Sequence, residues 1–303
     1  SKVPTAEDMA TWPLANFENP ETRRPLVLGV EIPLMILVIT FTAMRFYSRT
    51  MIIKALGADD WFMLAATLIS VSTSIMTCIS MLPAYHTGYH LWDLPPEVLL
   101  NPVKPAQMAM ATQLLFVPIT VFTKVSILLT YLRIFPSKSA KNFCYCMLVF
   151  TVAWGISSFL AALLQCRPVQ SYWLIAAYPD RKCIHIAPLY FITGGFNVLS
   201  DFLIFLFPVQ DLARIRISLK QRVTLICMFT LGVLICVAGI CRIWYTAVFI
   251  NSYDSLWNGA TLYAIVAIET SIGIMCGCLP ACRPLLVKIA PHIFTSTHSS
   301  THK

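Results

Sequence analysis

The chain has 303 residues, 57% of them hydrophobic and only 12% charged, with mean hydropathy +0.72 and a formal net charge of +8. A surface this apolar cannot be kept in water, which excludes a soluble enzyme or binding module and describes one bilayer-embedded domain. The positive balance would suit nucleic acid, but its distribution along the chain follows membrane topology, so no nucleic-acid partner is expected.

Residues 1–21 are polar and hold no secretory signal. The missing initiator methionine suggests a trimmed start, and the first apolar run is expected to act as its own insertion signal. Seven windows of roughly the 20 apolar residues that a hydrocarbon core demands then follow, at 25–46, 61–82, 107–135, 143–165, 187–208, 223–250 and 259–282. The expected fold is all-α, a polytopic seven-transmembrane-helix bundle, since barrel strands are shorter and alternate in polarity. Several windows exceed the minimum length, so tilt is expected. With the N-terminus outside, thirteen Lys and Arg fall in inner segments, among them Arg45, Arg49, Arg133 and Arg214, against seven in outer ones. The positive-inside rule therefore favours N-out/C-in. The expected division is an extracytoplasmic segment 1–24, a membrane domain 25–286 and a cytoplasmic tail 287–303 whose end, 295–303, is rich in Ser, Thr and His.

Taken in order, the helix ends carry physical punctuation. Asp59 and Asp60 ahead of Trp61 read as an acidic helix cap beside an interfacial indole. The outer loop 84–105 is long and aromatic, with His86 and His90 near Asp93 and Glu97. It reads as a solvated lid or, more sharply, as a metal or ligand mouth. Pro118 interrupts helix three, and Gly194-Gly195 allows a neighbour to approach helix five. Of 11 cysteines most lie in apolar helices as small hydrophobes. Cys166 and Cys183 share one outer loop and are expected to form a disulfide, whose closure is worth about 3 kcal/mol. Cys276, Cys278 and Cys282 lack the His or carboxylate that would complete a metal site, so no metal is expected.

The charges inside the windows are the candidate site. A lone charge at the bilayer centre costs about 2.5–3.5 kcal/mol on insertion scales, so such groups should face the bundle interior and satisfy one another or a ligand. Lys124 lies roughly 13 Å from the inner boundary, beyond snorkelling reach, and Asp201 roughly 15 Å deep with Asn197 on its face. Glu269 is roughly mid-membrane on the same measure. Arg242 sits nearer the outer end, where it either snorkels outward or joins the cluster, and Glu31 is a weaker fifth member. Three acids against two bases leave one carboxyl to be protonated or to meet a cationic ligand. Lys124 with Asp201 is the expected pair.

At these residues the chain resembles a known family. The runs LGADDWFMLAA (56–66), GYHLWDLP (88–95), KVSILLTYLRIF (124–135), QCRPVQSYW with the later Cys183, NVLSDFLIFLFPV (197–209) and IETSIGIMCGCLPACRPLL (268–286) resemble the fungal rhodopsin-like integral membrane proteins. That family includes the satratoxin-cluster membrane protein and pathogenicity-associated receptor-like proteins. The resemblance implies a seven-helix fungal membrane protein, often encoded beside secondary-metabolite genes. Its motif positions fall here on Asp59, Asp60, Trp61, His90, Lys124, Tyr131, Arg133, Asp201, Glu269 and Pro280. It does not imply photochemistry. A retinal protein of the usual kind needs a lysine on helix seven, and 259–282 has none, so no retinal and no other cofactor is expected.

Three functions follow as expectations. One is an accessory membrane protein of a secondary-metabolite pathway, binding or acting on an apolar small molecule, with Asp201 or Glu269 as proton donor and Lys124 stabilising developing negative charge. The second is a receptor-like surface protein, and the third a proton-coupled carrier. The lipid bilayer, endomembrane or plasma membrane, is the expected surrounding.

Overall fold

Apolar runs of this length satisfy their backbone groups in a bilayer only as helices or closed barrels, and in the computed structural model they are helices. It describes residues 9–16, 18–95, 102–135, 137–175, 177–213 and 219–289. The elements are α1 (Arg24–Tyr47), α2 (Ala58–Ser80), α3 (Val103–Ile134), α4 (Lys138–Leu163), α5 (Ile186–Ala213), α6 (Leu219–Asn251) and α7 (Ser255–Ile289). Seven of the described helices are long and apolar enough to cross a membrane. Glu97, Arg214, Arg216 and the tail 295–303 lie outside the described residues.

The local chemistry sets the helix ends. Pro25 occupies the first turn of α1, where a missing N–H costs nothing. The last turn of α1 widens into a π turn, Ser48–Ile53, which Lys54 closes in the left-handed conformation (φ 54°). The N–H of Gly57 donates to Asp60 Oδ2 at 3.0 Å, so the expected acidic cap of α2 forms. Ser137 Oγ caps α4 by accepting from the Ala140 N–H.

Burial separates the helices into an axis and a ring. The membrane-crossing windows of α3 and α7 are 61% and 56% buried, against 22–33% for the other five. α3 touches α2, α4 and α7, while α7 touches α1 and α6. The ring helices instead turn large apolar side chains outward, among them Ile36, Leu68, Val149 and Phe202, as hydrocarbon permits. Close approach across the axis rests on small residues. A Cβ on Gly277 would stand 2.4 Å from Met63 Cε. Gly194 does lie against Ile243 of α6, but nothing comes near Gly195, which faces outward.

At one end of the bundle the connections fold onto one another. A two-stranded hairpin, β1 (Cys166–Arg167) with β2 (Lys182–Cys183), is closed by the Cys166–Cys183 disulfide. The loop after α2 is not a free lid. Gly88, at φ 84°, accepts from the Arg23 N–H and donates to Leu256 O, which ties that loop to the start of α1 and of α7.

Candidate functional site

The central charges meet across α3, α5, α6 and α7. Lys124 Nζ of α3 lies 3.1 Å from Asp201 Oδ1 and donates to Asn197 O (3.0 Å), Asn197 Oδ1 (2.8 Å) and Ser200 Oγ (2.6 Å), all on α5. Arg242 Nε of α6 donates to Glu269 Oε2 of α7 at 2.5 Å, and the guanidinium lies over the Phe116 ring. Asn197 joins the two pairs, because its Nδ2 donates to Glu269 Oε1 at 2.9 Å and lies 3.4 Å from Asp201 Oδ2. All five side chains are buried. Gly239 makes room for the arrangement, since a Cβ there would stand 2.7 Å from Val198 of α5.

One open alternative closes here and one expectation changes. Arg242 joins the cluster by turning inward to Glu269 and does not snorkel outward. Glu31 is not a member of the cluster: it is buried near Ser74 of α2, on another side of the bundle. Without it the cluster holds two acids and two bases, so charge neutrality leaves no carboxyl over. The lysine Nζ has four oxygen neighbours, three of them on Asn197 and Ser200 and one on Asp201. Beside the pair lies a cavity of about 30 Å³, bounded by Thr123, Lys124, Asn197, Asp201 and Glu269 and by Ile127 and Phe205. That is room for one or two waters.

A second buried quartet sits about two turns further along α7, at Gly277. Arg45 of α1 is fully buried; its Nη2 lies 2.6 Å from Asp59 Oδ2, its Nε 2.8 Å from Asp60 Oδ1, and its Nη1 donates to Gly277 O at 2.8 Å. Arg49 adds a 3.2 Å contact to Asp59. Ser126 and Thr130 of α3 donate to the Asp59 carbonyl and carboxylate. Sequence reasoning counted Arg45 and Arg49 as topology charges and missed this. The signal was present: two arginines four apart, hence on one helix face, lead by a short turn to two adjacent acids.

The remaining motif residues scatter. Trp61 is 60% exposed and edge-on to Phe46, as an interfacial indole should be. Tyr131 is buried beside Phe135, Arg133 is exposed at the end of α3, and Pro280 lies within α7. His90 does not pair with Asp93, which instead accepts from the Asn16 N–H. It is stacked between Trp92 and Trp257, with Nδ1 2.6 Å from Asp254 Oδ2. Burial raises the Asp254 carboxyl above the ordinary aspartate range, against the lowering pull of His90. Arg23 covers the other face of Trp257 and donates to Tyr245 and Thr261. The expected mouth is thus an aromatic clamp. Among the described residues no three His, Cys, Asp or Glu side chains are grouped to hold a metal ion.

Comparison with known proteins agrees with the fold. A protein of Metarhizium anisopliae named "Polyenoic acids biosynthesis gene cluster protein Ba17b" is 24% identical over 93% of this chain and 78% of its own length. "Receptor GIN3" of Arthrobotrys oligospora is 23% identical over 91% of this chain and 67% of its own. A "SAT4 family membrane protein" of Emericella nidulans is 29% identical over 58% of this chain, a stretch that spans only 44% of that relative. No solved structure matches. The fungal rhodopsin domain matches residues 44–288, most of the chain, from the last turn of α1 through helices α2 to α7. This seven-helix protein therefore belongs to the fungal rhodopsin-like family of membrane proteins.

Proposed function

We propose that the protein serves a secondary-metabolite pathway from within its membrane, binding a largely apolar small molecule at the polar cavity beside Lys124 and Asp201. The observation that carries this reading is the central quartet itself. Two ion pairs and a carboxamide bridge are costly to place at mid-membrane, and a bundle needs none of them merely to span. The relative named for a polyenoic acid gene cluster supports the pathway. The cavity is about 30 Å³, whereas sites for drug-sized ligands run to roughly 300–1,000 Å³. Entry of a metabolite therefore requires α5 to draw back from α3 and the Lys124–Asp201 contact to open.

That coupling of entry to helix movement also favours a second reading, a receptor with the N-terminus outside, which the relative named as a receptor supports. One experiment separates them. Asp201→Asn, which keeps the shape and removes the charge, is introduced in the producing fungus, and metabolites and transcripts are profiled with membrane localisation as control. A changed product spectrum supports the pathway role. An unchanged spectrum from a correctly localised variant removes it, and lost ligand-dependent transcription then supports the receptor.

A further inference from the structure

Among the described side chains, the end of the bundle that carries the α1–α2 turn has a surplus of positive charge. Among the described side chains there, the only acids are Asp59 and Asp60, both buried and engaged by Arg45 and Arg49. Lys54, Arg133, Lys138 and Lys141 are exposed and take part in no ion pair among the described residues. The turn that carries Lys54 lies beside Arg133. A Cβ on Gly57, three residues after Lys54, would lie 3.5 Å from Arg133 Nη1. Arg49 is within Coulombic reach of Arg133, and its own Nε lies 3.5 Å from Asp60 Oδ1.

Apolar groups flank these cations. Met51, Ile53 and Leu56, in the π turn and just past it, are 65%, 39% and 46% exposed. Water would not tolerate the arrangement, but the boundary between acyl chains and headgroups supplies both partners at once. Exposed Trp61 and Tyr47 mark the same level.

We propose that the α1–α2 turn, with the end of α3, is a seat for an anionic phospholipid. Its phosphate lies between Lys54 and Arg133, and its acyl chains lie along Met51 and Ile53. Lys54, left-handed at φ 54°, stands three residues before Gly57, beside which Arg133 lies, and in this seat the two cations share one phosphate.

The test uses the full chain in nanodiscs of phosphatidylcholine, with or without phosphatidylserine, followed by native mass spectrometry of retained lipid and by thermal melting. Phosphatidylserine should be retained selectively and should raise the melting temperature. Each basic residue at a membrane surface is worth about a fivefold change in lipid affinity. Lys54→Gln with Arg133→Gln should therefore weaken retention roughly 25-fold, while Lys54→Arg with Arg133→Lys keeps it and Lys104→Gln, at the other end, leaves it unchanged. Equal retention of phosphatidylserine by wild type and the Gln pair overturns the proposal, as does equal retention of phosphatidylcholine. Protection by inorganic phosphate alone to the same degree overturns it too, because the acyl contacts would then contribute nothing.

Discussion

The bundle holds two buried quartets of like composition, two acids with two bases, that are built differently. At the Arg45 end every partner is fixed by short connections and by backbone: Asp60 caps its own helix, Arg45 donates to the Gly277 carbonyl, and Ser126 donates to the Asp59 carbonyl. The central quartet is held by side chains from separate helices and borders a cavity. The first is a clamp whose members have nowhere to go. The second has slack, since Lys124 has Asn197 and Ser200 oxygens to turn to when the Asp201 contact is lost. Charge burial alone does not distinguish structure from site, whereas the number of alternative partners and the space beside them does.

The contrast predicts a ranking of effects. Arg45→Ala takes the nearer cation from two buried carboxylates, leaving them the longer Arg49 contacts, and should cost about 3–5 kcal/mol, a large share of the stability of an ordinary domain. Fluorescence-detected size exclusion should show little folded protein. Replacing both Cys166 and Cys183 with Ser releases a loop with a sequence separation of 17 and should cost about 3 kcal/mol, seen as a lower melting temperature that matches the wild type measured under reducing conditions. Asp201→Asn should cost less than the Arg45 change, about 1–3 kcal/mol, and leave folded protein in the membrane; a loss equal to that of Arg45→Ala would erase the distinction between the two quartets. Gly277→Ala presses on the mobile end of Met63 and should cost at most about 1–3 kcal/mol.

The smallest effect concerns pH at the aromatic clamp. The folded state holds the Asp254 proton more tightly than the unfolded chain does, because burial raises the carboxyl from 3.8. Its contribution to stability is therefore present at low pH and declines as pH rises from 3.8 through the raised value. Asp254→Asn should flatten that decline in a melting-temperature series, and an unchanged slope would show that the burial effect is cancelled by His90.

The fold was legible because hydrocarbon imposes one crude rule. Runs of some 20 apolar residues must be helices, and the seven windows fall on the seven helices within a few residues at most ends. The disulfide was legible for a related reason, since Cys166 and Cys183 are the only cysteines outside those runs. Lys124 and Asp201 could be paired because depth along a helix follows from counting residues. What counting cannot give is the azimuth of a side chain. Glu31 and Arg242 lie at legible depths, yet Glu31 turns toward Ser74 and Arg242 toward Glu269, according to how the helices rotate against one another. His90 found Asp254, remote in sequence, for the same reason.

Asn197 carries a consequence for recognition. Its carboxamide turns an oxygen to an ammonium and a nitrogen to two carboxylates, so anything that wedges between the helices inherits both obligations. A plain hydrocarbon meets neither and would leave the ammonium and both carboxylates without their carboxamide partner. A guest bearing an amide, a hydroxy acid or an enol offers acceptor and donor edges in one plane, and under the proposed function such a head on an oily body is what this interior would tell from lipid.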